Sequence, residues 1–132
     1  MKKKVFLGGT CNESTWRDRL IPMLNIDYFN PVVADWNEAA YQQELFQRQH
    51  CDFCLYVITP RLEGFYSIAE VVDDSNKRPE KTVFCCLLKD DTLEFNSKQV
   101  RSLAAIEKMI KNNGGKCFVS LETVAEYLNS QN

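Results

Sequence analysis

Two short apolar runs, at residues 53–58 and 82–88, constrain the fold of this chain more than any other feature of its sequence. Each run is almost continuously hydrophobic, which is typical of strands that are buried on both faces of a parallel sheet. Each is followed, after a loop, by a segment with the apolar spacing of a helix. The pattern therefore predicts central strands that are connected by helical crossovers.

The same alternation continues from end to end and predicts one α/β domain, residues 1–132. Alternation at this spacing implies right-handed crossovers and a three-layer, flavodoxin-like fold, with helices on both faces of a five-stranded parallel sheet of order 2-1-3-4-5. We predict strands at residues 4–8, within 28–33, and at 53–58, 82–88 and 116–119. We predict helices at about 14–24, 37–49, 66–76, 97–112 and after 120, with a polar loop at 90–96.

Helix ends are marked by local signals. Asn12 or Ser14 is the expected N-cap of the first helix, and Ser120 is the expected N-cap of the last. The triplet at 113–115, Asn-Gly-Gly, predicts the end of the fourth helix.

The composition is that of an ordinary globular protein, with 132 residues, 45% hydrophobic, and a formal net charge of −2. This charge gives no general attraction to nucleic acids or anionic membranes, and no apolar run approaches the roughly 20 residues of a membrane helix. Most of the six cysteines lie in apolar runs, which indicates free thiols in a reduced, cytoplasmic protein. Cys51 and Cys54 would face opposite sides of a strand, so we expect no metal site there.

The topology predicts a ligand crevice where the strand order reverses. In open α/β sheets this crevice lies outside the carboxyl ends of the strands, here between the first and third. The loops that follow them, residues 8–13 and 59–66, predict a site built from Gly9, Thr10, Arg61 and Glu70. Glycines in the first loop allow backbone N–H groups to approach a ligand, although a tight turn alone explains the same residues.

Glu70 is the predicted centre of the chemistry. We expect it in the first turn of the third helix, pointing into the crevice, where the positive end of the helix dipole keeps a carboxylate ionised. Such a carboxylate can act as a nucleophile toward a sugar carbon. The alternative is that Ser67-x-x-Glu70 forms a capping box and only ties off its own helix.

Three further positions each allow two interpretations. Trp36, next to Asp35, can stack on a planar base or pack as a hydrophobic staple on the second helix. Glu44 can act at the crevice or form a solvated ion pair with Arg48. Tyr66 can belong to the core or to the wall of the pocket.

Three segments carry a resemblance to a known family: VFLGGT at the first strand, YFNPVVADW, and above all GFYSIAE at the third helix. Over roughly residues 4–88 the chain resembles the nucleoside 2-deoxyribosyltransferase-like proteins, a superfamily that includes nucleotide N-glycoside hydrolases. In that family a glutamate at the start of the third helix attacks C1′ of the sugar, expels the nucleobase and forms a covalent glycosyl-enzyme. The resemblance puts this nucleophile at Glu70.

The resemblance also implies which residues contact the substrate, a small nucleoside or nucleotide. The matching positions are Gly9 and Thr10 near base and sugar, Ser67 near sugar or phosphate, and Asp35, Trp36 and Glu44 near the base. Asp35 or Glu44 would then help to protonate or orient the leaving base, and Arg61 is a further candidate for holding a 5′-phosphate. Carboxylate chemistry needs no metal or organic cofactor. The resemblance also indicates a homodimer or larger homo-oligomer.

One position departs from the family pattern. Transferase members usually carry an aspartate six residues before the nucleophile, and Gly64 occupies that position here. We therefore expect cleavage of an N-glycosidic bond rather than transfer between bases. A non-catalytic nucleotide-binding module is the alternative, and a structural interaction domain is a third interpretation, since a fold alone does not fix a function.

Overall fold

A computed structural model describes residues 2–11 and 13–131 of the chain. Its strands are β1 (Lys4–Gly9), β2 (Asp27–Phe29), β3 (Phe53–Ile58), β4 (Thr82–Cys86), β5 (Lys89–Asp90), β6 (Leu93–Glu94) and β7 (Lys116–Phe118). Five of them form a parallel sheet of order β2-β1-β3-β4-β7, which confirms the predicted flavodoxin-like topology. The segment predicted as a polar loop contains the short antiparallel pair β5–β6, which two-residue strands do not announce in a sequence.

The helices are α1 (Trp16–Leu20), α2 (Glu38–His50), α3 (Tyr66–Lys77), α4 (Ser97–Asn113) and α5 (Leu121–Ser130), with 3-10 turns at Ile21–Met23 and Pro79–Lys81. The predicted ends of α4 and α5 are confirmed, since Gly114 adopts a left-handed conformation and the Ser120 side chain accepts from the Thr123 N–H. The first helix is shorter than predicted because the chain tightens into a 3-10 turn that contains Pro22.

The predicted N-cap of α1 is wrong for Ser14 and lies outside the described residues for Asn12. The N-cap is Thr15, which makes no side-chain capping bond. Ser14 instead donates its hydroxyl proton to Asp90 Oδ2 at 2.6 Å, which connects the loop after β1 to the β5–β6 hairpin. A long-range contact has therefore taken the side chain that local capping would have used.

The sheet is covered on both faces by separate apolar clusters. Val5 and Leu7 of β1 point to the face that packs on α1 and α5, whereas Phe6 points to the face that packs on α3 and α4. Every residue of β3 is buried, which explains its uninterrupted apolar sequence. This central strand and β1 form the rigid base of the site described below.

The glycine turn after β1 lies directly on the end of β3. Gly9 pairs with Val57 and has a φ of 115°, and a Cβ at Gly9 would lie 2.1 Å from the Val57 carbonyl oxygen. The following Thr10 N–H donates to the same carbonyl at 2.9 Å. Only glycine fits this position, so the turn leaves an open notch at the carboxyl ends of β1 and β3.

Two absences concern only the part of the chain that the structure describes. There, no helix has the length and apolar character needed to cross a membrane. No cluster of three or more histidine, cysteine, aspartate or glutamate side chains in those ranges is arranged to hold a metal ion. Cys51 and Cys54 donate to different acceptors, Gln47 Oε1 and the Arg48 carbonyl, and do not converge.

Candidate active site

A cavity of about 340 Å³ opens at the carboxyl ends of β1 and β3, where the topology predicts the crevice. Its walls come from the loops after β1, β2 and β3, from α1 and α2, and from the beginning of α3. The lining residues are Gly8, Gly9, Cys11, Arg17, Pro31, Val32, Val33, Trp36, Glu44, Leu62, Gly64, Tyr66, Ser67 and Glu70. Of the predicted site residues, this cavity brings together Gly9, Trp36, Glu44, Gly64, Tyr66, Ser67 and Glu70.

Three predicted site residues lie elsewhere. Thr10 is fully buried, and its hydroxyl oxygen accepts from the Thr59 N–H at 2.9 Å. Asp35 is exposed and does not line the cavity. Arg61 forms ion pairs with Asp90 and Asp91 at 3.5 and 3.0 Å, and it lines a different depression beside the hairpin. The side chains of Thr10 and Arg61 bind neighbouring loops instead, and Asp35 is exposed to solvent.

The capping interpretation of Glu70 is wrong. The residue before α3 is Phe65, no side chain caps this helix, and its first turn contains no acidic residue. Glu70 is the fifth residue of α3, one turn later than expected, and its side chain is only 8% exposed. Its carboxylate pairs with Arg48 Nη1 at 3.5 Å. The carboxylate therefore belongs to the cavity and to a contact between α2 and α3, rather than to its own helix end.

The protonation of Glu70 also differs from the expected one. Burial raises its pKa to about 7, Arg48 opposes this rise, and the negative charges of Glu44 and Asp74 add to it. The helix dipole acts mainly within the first turn of α3, and Glu70 lies beyond that turn. Glu44 and Glu70 both line the cavity, and they lie close enough for Glu44 to raise the pKa of Glu70. Near neutral pH the Glu70 carboxyl group is therefore only partly ionised.

Trp36 forms the hydrophobic staple and also lines the cavity. Its ring meets Tyr41 edge-on with the centroids 5.4 Å apart, at the spacing of a hydrophobic staple around the N-cap Asn37. Its side chain nevertheless remains largely exposed and lines the cavity, and Nε1 donates to Glu44 Oε2 at 3.1 Å. The staple thus holds an open aromatic face beside one of the two carboxyl groups.

The predicted ion pair between Glu44 and Arg48 is replaced by a buried network around Arg48. The guanidinium contacts Asp74 Oδ1 at 3.0 Å and Asp73 Oδ2 at 3.2 Å, in addition to Glu70. Burial would lower the pKa of Arg48, but the surrounding Tyr56, Asp74 and Glu70 outweigh it and raise this pKa. Asp74 also accepts from the Tyr56 hydroxyl and pairs with Arg78 at 3.2 Å. The sequence offers no sign of this network, because its members come from α2, β3 and α3.

A second buried arginine lies beneath the glycine turn and was not predicted. Arg17 Nε and Nη2 donate to the Leu7 carbonyl at 3.1 and 2.9 Å, and Nη1 donates to the Thr10 carbonyl at 2.8 Å. Its guanidinium lies 4.3 Å from the Trp16 ring centroid. Burial lowers the pKa of Arg17, and no ion pair to a carboxylate of the described residues is found. The only sequence signal is a charged residue beside the apolar stripe of α1.

The mouth of the cavity is formed by the start of α3. Tyr66 is largely exposed, lies close to Tyr41 of α2 and lines the cavity, so it forms wall rather than core. Ser67 lines the cavity next to it. A Cβ added at Gly64 would meet nothing within 4 Å, so the absent aspartate of the transferase pattern leaves open space.

These features define an α/β protein with a pair of carboxyl groups in a partly apolar cavity at the switch point of its sheet. Residues 2–89 match the family model described as nucleoside 2-deoxyribosyltransferase like, and the chain belongs to that family. The match includes every residue that lines the cavity and confirms the resemblance found in the sequence. The family is thus one named for glycosyl transfer at deoxynucleosides. Neither the curated proteins nor the solved structures contain a significant match.

Proposed function

We propose that this protein cleaves the N-glycosidic bond of a nucleoside or nucleotide, with Glu70 as the nucleophile. The observation that carries the proposal is that Glu70 and Glu44 both line the cavity at the switch point and lie close enough to interact. A pair of carboxyl groups, one as nucleophile and one as proton donor, is what cleavage with a covalent intermediate requires. Family membership supports the same class of reaction.

The reaction follows from the positions of the two carboxyl groups. An ionised Glu70 oxygen attacks C1′ of the sugar, the bond from C1′ to the base nitrogen breaks, and the departing base takes the proton held by Glu44. Water then attacks C1′ and gives a proton to Glu44, which releases the sugar and frees the Glu70 carboxylate. Glu44 rather than Asp35 is the proton donor in this proposal, because only Glu44 lines the cavity.

The remaining lining residues fit a substrate with a planar base and a polar sugar. Trp36 offers an exposed aromatic face next to Glu44, where the leaving base has to lie. Ser67 offers a hydroxyl close to Glu70, one turn earlier on the same helix. The open space at Gly64 lacks the acid of transferase members, which favours water over a second base as the acceptor.

The test is release of free base from a panel of deoxynucleosides and deoxynucleoside 5′-monophosphates, followed by chromatography. We expect Glu70→Ala to abolish release, and Glu44→Gln to lower kcat by about 10² to 10⁴. Glu63→Gln is the matched control, because this glutamate lies in the loop before α3 but lines the other depression, beside the hairpin. Equal release by the wild type and Glu70→Ala would refute the nucleophile. Mass spectrometry of the wild type quenched during turnover should show a sugar adduct at Glu70.

A non-catalytic nucleotide-binding module is the second candidate, and two observations favour it. The pKa of Glu70 is raised to about 7, so the nucleophile is only partly ionised near neutral pH, and Gly64 removes an acid from the pattern. A ligand that binds the folded state raises its melting temperature whether or not it reacts. Stabilisation by a nucleotide without release of base would identify the module, whereas release of base would exclude it.

A further inference from the structure

We propose that Arg48 is a positioning residue that holds the Glu70 carboxyl group against α2 and favours its ionised, nucleophilic form. The inference deepens the proposed function, because it says which side chain orients and helps to ionise the nucleophile. The effect of Arg48 on the titration of Glu70 is measurable without any substrate.

Arg48 is anchored on the side that faces away from the cavity. Its Nη2 group contacts Asp74 Oδ1 at 3.0 Å and Asp73 Oδ2 at 3.2 Å, and Nε lies 3.4 Å from Asp74 Oδ2. Asp74 is fully buried and is itself held by Tyr56 and Arg78. The planar guanidinium is therefore fixed by two of its nitrogens, and a lysine in its place would have only a single point of contact.

The third nitrogen of Arg48 faces Glu70. Nη1 lies 3.5 Å from Glu70 Oε2, and both side chains are at least nine-tenths buried. Among the ion pairs of the described residues, none joins Arg48 to Glu44, which instead accepts from Trp36. The positive charge thus lies nearer to one carboxyl group, and the indole donor lies at the other.

The charges that face Glu70 come from the two helices packed around it. From α2 these are Arg48 and Glu44, and from α3 they are Asp74 and, farther out, Tyr66. Arg48 is the cation that lowers the pKa of Glu70, against burial and two carboxyl groups that raise it. An opposite charge at this distance favours the ionised form of a carboxyl group, so removing Arg48 should raise the pKa of Glu70 further.

The experiment is an NMR titration of the full-length protein labelled with ¹³C at the glutamate carboxyl groups. The Glu70 signal is assigned by its loss in Glu70→Gln. We expect Arg48→Gln to raise the midpoint of Glu70 by about one unit or more, and Arg48→Lys to raise it by less. In the active protein, the acidic limb of the pH profile of kcat/KM should move to higher pH by the same amount.

Arg78→Gln is the matched control, because Arg78 pairs with the same Asp74 but does not contact Glu70. The proposal is overturned if the Glu70 midpoint in Arg48→Gln equals that of the wild type, or if Arg78→Gln moves it as far. Should Arg48→Gln fail to fold, Arg48→Lys is titrated instead, and an unchanged Glu70 midpoint in that variant also overturns the proposal. A wild type that releases no base would refute the proposed function, while the titration would still decide whether Arg48 favours the ionised form of Glu70.

Discussion

Two arginines near the cavity, Arg17 and Arg48, are buried, and their positive charges are stabilised in opposite ways. Arg17, under the glycine turn, directs its N–H groups to the carbonyl oxygens of Leu7 and Thr10, and burial lowers its pKa. Arg48, next to Glu70, is surrounded by Tyr56 and by carboxyl groups that raise its pKa. One buried cation is stabilised by neutral dipoles and the other by ionised groups.

This difference shows which part of the cavity is scaffold and which part responds to protons. Backbone carbonyls do not titrate, so the Arg17 region should behave in the same way across the physiological pH range. The Arg48 region contains a carboxyl group with a pKa of about 7, so its stability must depend on pH in that range.

The largest effect is expected for Arg48→Gln. Removing one partner from a buried ionic network leaves its carboxylates uncompensated, which costs about 3 to 5 kcal/mol of unfolding free energy near neutral pH. The cost should fall at low pH, because Glu70 has a raised pKa and becomes neutral in the folded state as pH decreases through about 7. Urea unfolding at several pH values measures this dependence. An equal cost at acidic and alkaline pH would contradict the expected difference in pH dependence between the Arg48 and Arg17 regions.

Arg17→Met should cost less and show no such pH dependence. The variant leaves buried carbonyl oxygens with fewer donors, which costs about 2 to 3 kcal/mol. No ionisable carboxylate loses a partner, so the same loss is expected in acidic and alkaline buffer. Arg19→Met on the same helix is the control, because Arg19 is exposed and its replacement should change stability by less than about 0.5 kcal/mol. A loss for Arg17→Met that grows with pH would show that an ionisable neighbour, of which Cys11 is the nearest candidate, contributes more than the carbonyl groups do.

Glu70→Gln should stabilise the protein at alkaline pH. A carboxyl group with a raised folded-state pKa adds stability that is fully present below its ordinary pKa of 4.5 and is lost as pH rises through about 7. The uncharged glutamine escapes this loss, so the variant should be more stable than the wild type above about pH 7, by about 1 to 3 kcal/mol. The two proteins should converge at acidic pH. A variant that is less stable at alkaline pH would mean that the ion pair with Arg48 outweighs the cost of burial.

The contrast also explains how much the sequence could predict. Continuous apolar runs identified β3 and β4, and the order of elements located the switch point and hence Glu70. The burial of Arg17 and Arg48 could not be predicted, because nothing local distinguishes them among the 16 lysines and arginines. Only tertiary contacts bury them. The capping box failed for the same reason, since Glu70 is held by Arg48 of another helix. Periodicity predicts which elements form, whereas long polar side chains choose partners only after the elements have packed.

Gly64→Asp should have the smallest effect on stability. The position has open space around it and no positive φ, so an aspartate should fit and change the unfolding free energy by about 0.5 kcal/mol or less. Gly9→Ala is the contrasting variant, because its Cβ would lie 2.1 Å from a carbonyl oxygen, and it should be severely destabilised. The added carboxylate restores the acid of the transferase pattern, so the variant should transfer deoxyribose to a second base more readily than the wild type. A stable Gly64→Asp variant that only hydrolyses would show that the missing aspartate does not decide between water and base as acceptor.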